Sequence, residues 1–438
     1  MVMAYNYSRD PIHPMILLGA LFGYAYVYQP LYLHSTGLLS DYISEDSILF
    51  VHIVNCIGIL ALCIGTLTGT KSIDDLYEES GVSEPDPELQ NRLITASYIL
   101  AGIGIAGYMV QLSYSGGFAK AYSYVKGGGW APSGYIGEAP MLTIPAILLY
   151  CIAREDKKFR PLDLLVLLIF DLPHLIQGSL GSRRGPLFFG LTVLFWGRFL
   201  TSYRRPGFKT VASTMLLVGV LVITVFAHRK QLYIGSDFEF STAAVKEKLA
   251  PHEISKGNDY LVGCGQVINS HYHKKHFWGR RYLVMFFIRP IPKQIWPTKY
   301  EDMGFSGFAA SNPNAFERNE WLASVGWTPL RGSATGCIAD MYLEFSWGMV
   351  VIMFLIGRFF SYLWKQSILQ RGIWLMLFIE SIVFSVFLPT QSVSAWFYRF
   401  LLISLPSIVL WKTFVDKEWV QKTVKMRKNN DYPPWMNN

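Results

Sequence analysis

Apolar stretches recur along this chain at about residues 14–34, 47–69, 93–113, 139–153, 162–180, 186–203, 210–227, 346–363, 372–389 and 394–411. Each approaches the roughly twenty residues that an α-helix needs to cross bilayer hydrocarbon. That repetition makes the chain an all-α integral membrane protein of about ten transmembrane helices and excludes a soluble enzyme. Only 16% of the residues are charged, against about 25% in a soluble domain. The fourth stretch is the shortest. The first, from Met15 to Leu33, lacks a small-residue cleavage site and is too long for a signal-peptide core, so it reads as a retained helix. Small residues at helix-packing spacing, Gly19 with Gly23 and Gly102 with Ala106, point to a bundle.

Orientation follows from where lysine and arginine collect, because short cytoplasmic loops retain positive charge. Arg154, Lys157, Lys158 and Arg160 share one loop, Arg204, Arg205 and Lys209 another, Arg358, Lys365 and Arg371 a third, and Lys422, Lys425, Arg427 and Lys428 the tail. With about ten helices, all four lie on the side of the N-terminus, so both termini are expected in the cytoplasm. The organisation is then a membrane bundle over 1–227 (helices 1–7), a large outer loop over 228–342, a second membrane segment over 343–411 (helices 8–10) and a basic cytoplasmic tail over 412–438. The loop from Thr70 to Arg92 is cytoplasmic on this count although acidic. A segment as long as 228–342 is uncommon unless it is functional.

Four constellations carry potential chemistry. Ser182-Arg183-Arg184-Gly185 joins two helices on the outer side, where arginine opposes the orientation bias. It reads either as two side chains snorkelling to lipid phosphates or as guanidinium forks for a phosphate or pyrophosphate. The run from Arg289 to Lys299 is stiffened by prolines and holds Lys293 near Trp296, as a structural turn or as a sugar-phosphate site. His271, His273 and His276 are spaced for zinc, but Lys274, Lys275, Arg280 and Arg281 would repel a dication, so a basic patch for phosphate or anionic headgroups fits better. Within the membrane stand Asp171 with His174, and Glu380 with Arg399, the latter two at depths that suit either an ion pair or a substrate path. Cys264 and Cys337 share the long loop and read as free thiols unless an oxidising compartment pairs them. No GxxxxGK[ST], GxSxG or HExxH pattern occurs, which leaves ATP-driven transport and the familiar hydrolase chemistries without support.

In order along the chain, Ser115-Gly116-Gly117-Phe118 with Ser133-Gly134-Tyr135, then Gly181-Ser182-Arg183, then Ile291-Pro292-Lys293 with Trp296-Pro297 and Lys299, then the segment from Gly336 through Asp340, Tyr342 and Phe345 to Trp347-Gly348 resemble the bacterial oligosaccharide repeat-unit (O-antigen, Wzy-type) polymerases. Two positions depart from that pattern: lysine at 293 where the family usually has arginine, which keeps charge but loses the bidentate fork, and Glu344-Phe345-Ser346 in place of an asparagine followed by Phe-Gly.

The resemblance implies a multi-pass protein of the bacterial inner membrane. The implied reaction moves glycan from undecaprenyl pyrophosphate to a new lipid-linked repeat unit on the periplasmic face, as a glycosyltransferase-type polymerase with no cofactor or metal. Such a reaction needs a cationic site for the leaving pyrophosphate, for which Arg183, Arg184, Arg289, Lys293 and Arg331 are the candidates. It needs a group to accept the hydroxyl proton, for which Asp340, Glu344 and His228 are candidates. Trp296, Trp327 and Tyr135 are candidates for stacking on sugars, unless they belong to the interfacial aromatic belt. The expected partners are the undecaprenyl-pyrophosphate-linked oligosaccharide, membrane lipid, and a chain-length regulator and flippase, with no nucleic acid. An O-antigen ligase-like transferase shares the donor, and a transporter or flippase of lipid-linked oligosaccharide is the alternative from another class, although no inverted repeat is visible.

Overall fold

The computed structural model describes residues 1–80, 87–125, 127–128, 134–155, 159–201, 206–249, 256–288, 291, 295–303, 316–330 and 332–415, without the side chains of 87, 134–136, 248 and 249. Among these residues the chain is helical, with no strand. The principal helices are α1 (Pro14–Ser35), α2 (Glu45–Leu67), α3 (Pro87–Tyr114), α4 (Thr143–Ala153), α5 (Pro161–Ser179), α6 (Arg184–Thr201), α7 (Phe208–Ala227), α8 (Asp259–Tyr272), α9 (Gly336–Phe345), α10 (Met349–Leu369), α11 (Gly372–Phe384) and α12 (Val393–Phe414).

Every apolar stretch becomes a helix, but 8 segments rather than about ten are long and apolar enough to span a membrane among the described residues. The two that fall short do so for different reasons. Helix α4 has 11 residues, all of them buried, so it is enclosed by protein and has no lipid-facing length to fill. Helix α6 carries Arg184 at its start and Arg198 in its last turn, which interrupts its apolar run at both ends. Burial grades the rest: 83% of the Gly372–Thr390 span is inside the protein, against 11% of α7. Helix α11 is therefore the axis of the bundle, and α7 lies on its outside.

Local sequence explains where helices bend. In α1, Pro30 lacks an N–H and would press on the carbonyl one turn earlier, and the chain relieves this with a π-helical turn at Tyr24–Tyr28 directly before it. Between α9 and α10 the membrane-length segment Gly336–Leu369 is broken at Ser346, whose φ is 51°. Helix formation starts at Gly336, within the stretch assigned to the long loop from sequence.

Helices α2 and α10 pack closely along their length. A Cβ on Gly65 would stand 2.1 Å from the Phe354 carbonyl oxygen, and one on Gly357 would stand 2.2 Å from that of Leu62. Backbone packs on backbone here, as expected where hydrocarbon supplies no hydrophobic drive for association. The glycines picked out by spacing do something else: Gly23 and Gly102 face open space and Gly19 meets the Met1 side chain. Spacing reports small residues but not the direction they face.

One end of the bundle is tied by charge. Arg371 forms an ion pair with Glu155 and donates to the Thr201 carbonyl at 2.6 Å, joining the ends of α4 and α6 to the start of α11. Arg154 lies 3.3 Å from Asp163, which also accepts the Tyr150 hydroxyl at 2.7 Å. The other end of α6, where Arg184 sits, is about 27 Å away at 1.5 Å per residue.

Candidate functional site

At that opposite end a cavity of about 250 Å³ opens among six parts of the chain. Volume for about eight waters, at ~30 Å³ each, suits a group the size of a sugar ring. Its wall takes Tyr24 and Tyr26 from the π-helical turn of α1 and Gln29 just after it, Asn55 from α2, Arg184 from the start of α6, Asp259 and Tyr260 from the start of α8, Thr335 ahead of α9, and Pro389 and Thr390. Glycine lets these parts meet. Gly336 has φ +74°, and a Cβ there would stand 2.4 Å from the Tyr26 hydroxyl, while one on Gly263 would stand 2.5 Å from the Thr335 carbonyl. The Tyr260 hydroxyl is held by His52 Nδ1 at 3.0 Å and by the Asn55 amide, which donates at 3.4 Å.

Two charged groups of opposite sign face this space, and both side chains remain accessible from it. Asn258 caps α8, its side-chain oxygen accepting from Leu261 N–H at 3.1 Å, and this fixes Asp259 at the first helical position. The surrounding protein desolvates the Asp259 carboxyl and pushes its pKa up to about 6, against the pull of the Ala334 backbone and the Arg184 charge.

Arg184 belongs to a cluster. Its guanidinium carbon lies 4.4 Å from the centre of the Phe226 ring, and that of Arg229 lies 5.7 Å from the same ring. Beside them, the turn carrying Arg183 is docked by Ser182, which donates to the Leu232 carbonyl at 3.4 Å. Among the described residues neither Arg183 nor Arg229 forms an ion pair with a carboxylate, and the Nε of each is buried without a hydrogen-bond partner. Desolvation lowers the pKa of both. Cationic donors held without an anion are the electrostatic requirement for binding one.

The remaining sequence candidates divide sharply. Asp340 and Glu344, one turn apart on α9, are buried and share one cation: Arg281 Nη1 lies 3.2 Å from Asp340 and 3.1 Å from Glu344. The Tyr282 hydroxyl donates to Asp340 at 2.6 Å, and Gly279 N–H donates to Glu344 at 2.9 Å. His228 is engaged at both ring nitrogens, Nδ1 with the Thr224 carbonyl at 2.9 Å and Nε2 accepting from Ser241 N–H at 2.9 Å. Trp327 is buried, with its indole N–H on the Tyr42 carbonyl at 3.1 Å. Trp296 is half-buried and donates to Asp302 at 2.6 Å. Arg289, Lys293, Arg331 and the Tyr135 side chain lie outside the described residues.

In the region of the three histidines, Lys274 and Arg280 are exposed, while the histidines and Arg281 have internal partners. His271 packs on Phe50, His273 bonds the Glu320 carbonyl, His276 bonds the Tyr342 carbonyl, and Arg281 is internal. The described residues contain no cluster of three metal-ligating side chains. Nor does Glu380 pair with Arg399. It accepts the Ser407 hydroxyl at 2.8 Å, eight residues further along α12, whereas Arg399 lies over Phe387. Asp171 and His174 do pair, at 3.2 Å. Cys264 and Cys337 are free thiols.

Sequence reasoning missed Asp259 and Arg229. Asn258-Asp259 reads as a helix start, and nothing local shows that the start opens on a cavity. Arg229 was findable, because His228-Arg229-Lys230 follows a span at the end that the charge count expects to face outward, where it opposes the orientation bias just as Arg183 and Arg184 do.

No match to the chain is found among curated proteins or solved structures. One family model, described as O-antigen polysaccharide polymerase Wzy, matches residues 12–422. That family comprises polymerising glycosyltransferase-type enzymes acting on lipid-linked oligosaccharide repeat units in the membrane. The chain, a multi-pass helical protein with its match running nearly end to end, belongs to the O-antigen polysaccharide polymerase Wzy family.

Proposed function

We propose that the cavity beside Arg184 is where glycan on undecaprenyl pyrophosphate is transferred to a new lipid-linked repeat unit, on the periplasmic face of the inner membrane and without a metal. The observation carrying this reading is that the Arg183-Arg184 turn brings one cation into a sugar-sized cavity, with Arg229 sharing the Phe226 ring with it and having no carboxylate partner among the described residues. A departing pyrophosphate develops negative charge as its bond to the sugar breaks. Guanidinium forks already in place stabilise that charge without reorganising.

The tyrosines of the π-helical turn serve the lipid side of the same reading. Tyr24 lines the cavity while more than half exposed on the bundle surface, and it stacks on Tyr28 at 5.6 Å. A sugar head can enter there while its polyprenyl tail stays in the bilayer. Arg289, Lys293 and Arg331, outside the described residues, are proposed as further cations for the same anion. The buried Asp340 and Glu344, bound by Arg281, serve better as the brace of the adjoining loop than as proton acceptors.

The test is glycan length in a strain lacking the gene. Single repeats in the deletion strain, restored to a ladder by wild type and not by Arg184→Ala, are expected. Full-length polymer left on its lipid in the deletion strain would identify a ligase instead.

A further inference from the structure

We infer that Asp259 accepts the proton of the attacking sugar hydroxyl in the cavity beside Arg184. This rests on the glycosyl-transfer reading above and adds the one group that reading leaves unassigned. Transfer needs a base within reach of the acceptor hydroxyl. Four buried acids and the histidine at the end of α7 are committed elsewhere: Asp340 and Glu344 to Arg281, Asp171 to His174, Glu380 to Ser407, and His228 to two backbone groups. Asp259 is the single carboxylate among the described residues lining the cavity, and it shares that wall with Arg184.

The step balances on residues present. The acceptor O–H gives its proton to an Asp259 carboxylate oxygen as the hydroxyl oxygen bonds to C1 of the donor glycan. The C1–O bond to the pyrophosphate breaks, and the lipid pyrophosphate leaves with the electron pair beside Arg184. The proton then passes from Asp259 to water. Around Asp259 the titratable groups are Arg184 from α6, Tyr24 and Tyr26 from α1, and Tyr260 and Cys264 from α8, with the Ala334 backbone hydrogen-bonded to it. Arg184 is the one permanent charge among them. It favours the carboxylate form but leaves the pKa raised to about 6. A base must be deprotonated to act, so activity is present above that value and falls as the pH drops through it.

The experiment uses purified full-length protein and the single-repeat lipid-linked glycan extracted from the deletion strain, with elongation followed from pH 5 to pH 8. Wild type is expected to elongate with an acid limb near pH 6. Asp259→Asn is expected to bind the extracted substrate as wild type does yet elongate about 10²–10⁴-fold more slowly, without that limb, and Asp259→Glu to recover part of the rate together with the limb. If Asp259→Asn elongates at the wild-type rate, keeps the acid limb, or loses substrate binding along with activity, the proton acceptor is elsewhere. If wild type itself does not lengthen the glycan, the polymerase reading fails first and takes this assignment with it.

Discussion

The cavity at Arg184 and the network at Arg281 hold the same ingredients, arginine and carboxylate, in opposite arrangements. Around Arg281 the charges are engaged with one another where they stand, two buried carboxylates on one guanidinium, with a tyrosine hydroxyl and a backbone N–H also donating to the carboxylates. Around Arg184, two guanidiniums share the Phe226 ring at one end of the bundle, and one accessible carboxylate lines the same cavity as Arg184. Taking a charge out of water is costly, so a buried charge persists only when paired. A charge cluster held short of partners, beside a cavity, is an arrangement completed by something that enters. On the proposed reading, the division separates charges that hold the fold from charges that meet a substrate.

Arg281→Met should break the first region outright. It leaves Asp340 and Glu344 buried without their cation, and losing one partner of a buried pair costs about 3–5 kcal/mol. The expected result is a large drop in thermal stability in detergent or failure to accumulate, with substrate affinity of any folded remainder intact. A variant as stable as wild type but unable to elongate glycan would erase the distinction between the regions.

How much of this was legible in the sequence depends on how far apart the partners lie. The apolar runs were readable because satisfying a backbone in hydrocarbon is a local demand, and each run indeed became a helix. Asp340 and Glu344 were visible as a pair one turn apart, but their cation stands 59 residues earlier, on the far side of a loop. Helical depth suggested Arg399 for Glu380, but rotation about the axis delivered Ser407 instead. Gly65 and Gly357 meet across nearly 300 residues, and their contact follows from packing rather than from spacing. The Arg183-Arg184 turn was legible as a pair of cations on the wrong side of a charge rule. That the turn borders a cavity also lined by Asp259 was not, because six separate segments build that wall.

Arg184→Ala probes the second region. Its side chain is accessible, and surface charges contribute about 0–1 kcal/mol to stability, so the unfolding temperature should move little. Elongation should fall about 10²-fold or more, the scale for removing one preorganised donor to a developing anion. Arg184→Lys keeps the charge without the fork and should fall between. A loss of stability comparable to that of Arg281→Met would place Arg184 with the structural charges.

The smallest expected effect is also the most discriminating. Arg229 reaches the cluster only across Phe226 and does not line the cavity, so Arg229→Ala should slow elongation about tenfold, near 1.4 kcal/mol. The informative quantity is the double variant with Arg184→Ala. Two cations acting on one pyrophosphate belong to a single interaction, and residues that share a partner depart from additivity by about 0.5–3 kcal/mol. The double variant should therefore lose less than the product of the two single losses. A strictly multiplicative loss would mean that Arg229 acts on something other than the anion at Arg184, such as a lipid headgroup at the rim. The cluster around Phe226 would then be two sites that happen to share a ring.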